Sequence, residues 1–336
     1  MDIKTRLKNY GLWISVIALV PMVCKAFGLT ILPDNYNEIA TGILGILVLL
    51  GILNNPTTET NGFKDDKGSG NKKGKPIRKY NLKEDKVDKR DYYFKNHILS
   101  KSVQLPKSID LREKMPPIYD QGALGSCTAN AGCANKSYFI NNRLQFSRLF
   151  LYYKERLIEG TIYQDSGASI RDICIALTKY GVCEEDFFPY DTTKFTQMPS
   201  LLADKNALRY TINSYHRITS VEEVKQALAN LLPVLLGINV YESFEKVGKN
   251  GIVPMPGNFE SVLGGHAVLL VGYVDGATTI NNTPQKLCDF IRKKTSSQGY
   301  FILRNSWGTD FGDKGYMYLP YEVFEKIKND IWVIFQ

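Results

Sequence analysis

The spacing of apolar positions changes character along the chain. Residues 11–32, GLWISVIALVPMVCKAFGLTIL, are interrupted only by Pro21 and Lys25, and residues 40–53, ATGILGILVLLGIL, form a second, shorter run beyond the polar break PDNYNE. The first run has spanning length, so the two predict a transmembrane helical hairpin over 1–53. A cleaved signal peptide fits less well, because the first run lacks a convincing small-residue cleavage site and another apolar run follows within a few residues. Residues 54–105 are rich in Lys, Asp, Asn and Gly and hold no apolar cluster before DYYF, which predicts a basic flexible linker.

From Leu105-Pro106 onward the pattern is that of a compact domain, 106–336. Cys127 to Asn142 is expected as a helix, Ser169 caps IRDICIALTKY ahead of a stop at Gly181, and Ser220 with Glu223 forms a capping box for the next helix. Then the period changes. PVLLGINV, HAVLLVGYVD, YFILRN and GYMYLP are short apolar or alternating runs punctuated by glycine, as strands are. Helices first and strands later predict an α+β domain, and the length of 336 residues allows a substantial core.

Charge changes the picture at the amino-terminal end only. Residues 1–105 hold seventeen of the 42 Lys/Arg but ten of the 34 Asp/Glu. Lys64, Lys67, Lys72, Lys73, Lys75, Arg78 and Lys79 directly follow the second apolar run, which points to membrane lipid rather than nucleic acid as the partner. With Lys4, Arg6 and Lys8 ahead of the first run, the positive-inside rule puts both ends of the hairpin, and the domain, on the cytoplasmic side of a membrane. If only one segment spans, the domain lies outside. Gly42, Gly45 and Gly51 supply small faces through which the hairpin can associate with copies of itself.

Six cysteines show no paired CxxC spacing, and only His97, His216 and His266 offer imidazole, so neither a metal site nor a cofactor is expected. Cys127 stands apart. It follows Gly122, Ala123, Gly125 and Ser126 in QGALGSC and opens a helix, where unpaired backbone N–H groups favour a thiolate. Gln121 offers an uncharged donor for a developing oxyanion. A nucleophilic cysteine needs a base, and His266, in LGGHAVLLVGY, has glycines in front and an alternating strand behind. His216 and His97 lack such a setting and are expected at the surface. Asn305 at the end of YFILRN can orient an imidazole, with Trp307 two residues on to keep water out.

In that order the residues resemble the papain-like cysteine peptidases, over roughly 105–336. The resemblance implies a two-lobed fold, a helical lobe beside an antiparallel β-barrel-like lobe. It also implies Cys127 as nucleophile, His266 as base, Asn305 as its orienter, Gln121 and the Cys127 N–H as oxyanion hole, and Trp307 as shield. DSGASIRD resembles the family's substrate-binding loop, which would put Gly167, Ala168 and Gly265 against the backbone of a peptide. Leu124, Thr128 and Phe311 depart from the family, standing where a disulfide cysteine, an aromatic residue and a second tryptophan are usual. No long helical propeptide is expected, and only DKRDYYF can pack back as a short strap or pro-segment.

The first 65 residues resemble small two-helix phage holins, whose second span ends in a similar Pro-Thr-Thr-containing tail. The function expected is therefore a membrane-anchored cysteine endopeptidase acting on peptides or proteins. Two alternatives remain: a cell-wall peptide hydrolase of the phage-lysis type, and a non-catalytic membrane-anchored binding module.

Overall fold

The computed structural model describes residues 10–27, 32–33, 35–49, 78–86, 88–97, 104–140, 143–276 and 299–336. They belong to two compact units, Met1–Lys75 and Pro76–Gln336.

In the first unit the apolar runs are helical, as α1 (Tyr10–Ala26) and α2 (Tyr36–Leu49). Here the membrane expectation is corrected. At 17 residues α1 rises about 26 Å, short of a hydrocarbon core of about 30 Å, and α2 has only 14. Among the described residues no helix is long and apolar enough to cross a membrane. The transmembrane hairpin, the holin likeness, lipid as partner, self-association and a membrane location are therefore not supported. Most of the basic cluster, Gly51 and the linker up to residue 77 lie outside the described residues.

In the second unit most of the helices precede the long strands. The helices are α3 (Cys127–Ile140), α4 (Arg148–Glu159), α5 (Ile170–Lys179), α6 (Leu201–Ala207), α7 (Val221–Ala229), α8 (Glu242–Glu245) and α9 (Tyr321–Ile327). Their starts are written in the sequence: the Ser147, Ser169, Ser200 and Ser220 side chains accept from the N–H groups of Phe150, Asp172, Ala203 and Glu223. Beyond α5 the chain turns at Gly181, whose φ of 67° brings it so close to Ala207 O that a Cβ would lie 2.1 Å away.

Seven strands form one sheet: β1 (Ser108–Asp110), β2 (Ser214–Arg217), β3 (Val234–Tyr241), β4 (Val262–Asp275), β5 (Gly299–Arg304), β6 (Tyr316–Pro320) and β7 (Lys328–Phe335). The order is β2-β7-β3-β4-β5-β6, antiparallel throughout, with β1 added alongside β4. Helix α3 packs along β4, so the helices and the sheet share one core. The papain-like α+β arrangement expected is present. Strands β1, β2 and β7 are additions to the four the pattern predicted.

Two expectations change. Residues 78–86 and 88–97, read as linker with DKRDYYF as a possible strap, lie within the second unit: Leu82 and Phe94 are buried in its core. His97 and His216, expected at the surface, are half-buried against each other, with ring centroids 5.1 Å apart and both rings against Phe335.

The loop that leads to Cys127 is tied to the sheet by one buried cation. Arg304, at the end of β5, donates to Pro116 O at 2.7 Å and Pro117 O at 2.5 Å, and its guanidinium lies over the Tyr119 ring. Arg304→Met removes these donors and leaves two carbonyls unpaired. The expected loss is about 2–4 kcal/mol of stability, read by urea unfolding.

Candidate active site

The turn before α3 is held from several sides. Asp120 Oδ1 accepts from Gly122 N at 2.9 Å, and the Asp165 carboxylate accepts from Gly125 N at 3.0 Å. Gln121 is locked in place: its N–H donates to Ser306 O at 2.9 Å, its Oε1 accepts from Ser306 Oγ at 2.7 Å, and its Nε2 donates to Leu124 O at 3.0 Å. The second Nε2 hydrogen is left for a ligand. Cys127 is the first residue of α3, so its N–H is among the helix's unpaired donors.

On the sheet side, His266 lies on β4 opposite Ile238 of β3. Its Nε2 is 2.8 Å from Asn305 Oδ1, and since that oxygen can only accept, Nε2 must carry the proton. Nδ1 is therefore a bare lone pair, buried and without a hydrogen-bond partner among the described residues. The N–H of the next residue, Ala267, favours the Cys127 thiolate, so β4 and the start of α3 meet beside His266. The Trp307 ring stacks on the imidazole with centroids 4.7 Å apart. The structure thus brings together Gln121, Cys127, His266, Asn305 and Trp307.

Burial sets the protonation states. Desolvation pushes the Cys127 thiol up to about 12, outweighing the hydrogen bond from Ala267 and the helix start that favour the thiolate. It also presses His266 down to about 4, against the opposing pull of Asn305. Both groups are neutral at pH 7.

What closes the cleft is the chain's own strap, residues 78–97. Leu82 N donates to Gly265 O and Lys83 N to Ala168 O, each at 3.1 Å, and Asn81 and Lys83 form parallel bridges with Gly265 and Ser169. The three residues expected to meet a peptide backbone, Gly167, Ala168 and Gly265, meet this one. Glycine is required there: a Cβ on Gly167 would lie 1.9 Å from Asn81 O, and one on Gly265 2.6 Å from Leu82 O. Farther along, Asp85 is anchored by Trp332 Nε1 at 2.7 Å, and Asp91 by Arg171 at 2.7 Å and Arg217 at 3.3 Å.

Sequence reasoning expected only DKRDYYF, with Asp91, as a strap and missed Asn81 to Asp85, although RKYNLK carries a short alternation of apolar Tyr80 and Leu82 with charged or polar neighbours. It also missed what replaces the usual aromatic residue at Thr128, whose hydroxyl donates at 2.7 Å to the fully buried Glu155. A polar residue directly after the cysteine was the available signal.

Comparison with known proteins agrees with this geometry. The family model described as "Papain family cysteine protease" matches residues 105–331. An uncharacterized peptidase C1-like protein of Acanthamoeba polyphaga mimivirus is 35% identical over 71% of this chain and 76% of its own length. Falcipain-3 of Plasmodium falciparum is 28% identical over 60% of this chain and 38% of its own. Among solved structures, xylellain, a cysteine protease from Xylella fastidiosa, is 34% identical with a TM-score of 0.62, over 80% of this chain and 99% of that one. A helix that starts on a cysteine, a β4 histidine paired with an asparagine, and a matched span of more than two hundred residues have one common explanation: this chain belongs to the papain family of cysteine proteases.

Proposed function

We propose that the protein is a cysteine endopeptidase in which Cys127 attacks a peptide carbonyl and His266 moves the protons, and that the strap holds it latent. The observation that carries the reading is the bare, buried Nδ1 of His266, aimed by the Nε2–Asn305 bond and next in the chain to Ala267, whose N–H favours the Cys127 thiolate.

In the open cleft, water returns to both groups, and the penalty on their charged forms falls. The proton passes from the thiol to Nδ1, giving a thiolate and an imidazolium. The thiolate adds to the scissile carbonyl. The charge that develops on oxygen is met by the free Nε2 hydrogen of Gln121 and the N–H of Cys127. His266 then protonates the leaving amine, and the carbonyl carbon stays on sulfur as a thioester. In the second half His266 takes a proton from water, which attacks the thioester and returns the thiol. Asn305 fixes the imidazole tautomer throughout, and Trp307 keeps solvent from the Asn–His contact. Gly167, Ala168 and Gly265 supply the edge along which a substrate backbone pairs, as the strap does in the closed state.

Hydrolysis of internally quenched peptides by the full chain carrying Asp85→Ala and Asp91→Ala to loosen the strap, with peptidoglycan as a second substrate, tests the reading. Peptide cleavage is expected to vanish in Cys127→Ala and to fall roughly a hundredfold in Asn305→Ala, whose imidazole loses its orienter. Cleavage that survives Cys127→Ala would sink the mechanism, and release from peptidoglycan alone would replace the substrate class.

Latency has its own readout. With the thiol held near 12, alkylation of Cys127 by iodoacetamide is expected to rise about tenfold per pH unit through pH 7–10 without a plateau, because only thiolate reacts. Asp85→Ala with Asp91→Ala, which cuts the strap's anchors, is expected to produce a plateau already at neutral pH. Identical profiles for the two proteins would mean that the strap does not control the thiol.

A further inference from the structure

The strap segment in the cleft, Arg78 to Lys83, brings three cations with it, and the cleft receives each of them differently. The Arg78 guanidinium lies over the rings of Trp307, 4.2 Å from its centroid, and Phe311, at 4.8 Å. Lys79 reaches Asp165 at 2.6 Å, but that carboxylate already accepts from Gly125 N and from Tyr152 Oη, and the lysine is half exposed. Asp165 is thus part of the cleft's frame whether or not a cation is present.

Lys83 is different. Its ammonium bonds Glu159 Oε2, at the end of α4, while Glu159 faces Asp172 on the first turn of α5. Asp172 Oδ2 accepts from Ser169 Oγ at 2.8 Å. Among the described residues Lys83 is the one cation bonded to this pair of carboxylates. The Glu159 side chain is 13% exposed, so the two like charges are only weakly screened by water. Burial and Asp172 both lift the Glu159 carboxyl, and Lys83 draws it down. A purely structural pair would have its counterion on the domain itself. This one has it on the segment that must leave before a substrate can enter.

Backbone pairing fixes where a replacement arrives. Lys83 N donates to Ala168 O, so any extended peptide held on that edge places one side chain over the Glu159 carboxylate. Resting on the peptidase reading above, we infer that Glu159 and Asp172 form a subsite that selects a lysine or arginine side chain of the peptide substrate, and that Lys83 mimics that side chain in the closed state. The protein is then a peptidase for basic segments, with the register of cleavage set by a cation at a fixed distance from the scissile bond.

The test uses the full chain with the strap loosened in two independent backgrounds, Lys83→Ala and Asp85→Ala/Asp91→Ala. The substrates are quenched peptides of one neutral sequence in which a single lysine is walked through every position. One position is expected to raise kcat/KM about tenfold over alanine there, the scale of a partly buried charged hydrogen bond. Glutamate at that position is expected to lower it. Glu159→Gln should bring the lysine peptide down to the alanine peptide, and Glu159→Lys should turn the preference towards glutamate, with unchanged thermal unfolding as the check on folding. Peptides cleaved at equal rates wherever the lysine stands would overturn the subsite and leave the peptidase intact, as would a lysine preference that persists in Glu159→Gln. If no peptide is cleaved in either background, the peptidase reading falls and the subsite with it.

Discussion

Strand β4 must be held on both edges, and the point where one edge lets go defines the site. Its first part, 262–270, is paired with β3, its last part, 269–275, with β5, and β1 lies alongside 272–274. Strand β5 ends at Arg304, opposite Leu269, so the stretch from His266 to Val268 has no β5 partner. Into that gap come the two groups that give His266 its chemistry. Asn305, the residue after β5 stops, turns to the imidazole, and the thiol at the start of α3 takes the N–H of Ala267. A sheet one residue longer at β5 would satisfy its ladder and lose the site. Arg304 makes the stop secure by spending its donors on the Pro116 and Pro117 carbonyls, which also steadies the loop carrying Gln121.

The same enclosure that aligns these groups also keeps them uncharged. A thiol and an imidazole form an ion pair only where the surroundings can solvate it, and here both are almost without solvent contact. Geometry and reactivity are therefore separable in this fold. In the proposed mechanism the side chains are already placed in the closed state, and what opening supplies is water. That division explains why the pairing edge is built from glycine: the backbone of the strap must come near enough to exclude solvent, and a Cβ at Gly167 or Gly265 would hold it off.

The chemistry was more legible in the sequence than its control. Cys127 and Asn305 stand at element boundaries, and His266, inside β4, directly follows two glycines; such marks survive in a one-dimensional pattern. Strand β2 did not: its four residues are all half-buried, with no alternation to read. Strand β7 is buried almost continuously, and such a run follows a helix with no turn residue between them. The strap beyond DKRDYYF was hidden by its neighbourhood, because the average composition of residues 54–105 is that of a linker while Leu82 is a core residue. The amino-terminal runs erred in the opposite direction. Apolar content along 11–32 was taken as length of helix, whereas α1 stops at Ala26.

The strap enters the cleft before it reaches its anchors, and the chain runs on from those anchors into the domain. An inhibitor attached in this way is never diluted: its local concentration is set by the few residues between Lys83 and Asp85, not by the amount of protein. A cut anywhere ahead of Arg78 would shorten the protein without freeing the cleft, since Asp85 and Asp91 still hold the segment through Trp332, Arg171 and Arg217. Size on a gel would then be a poor guide to activity. Two cleaved forms of nearly equal mass, one cut before the strap and one after its anchors, would behave as two different proteins, the first still closed and the second open.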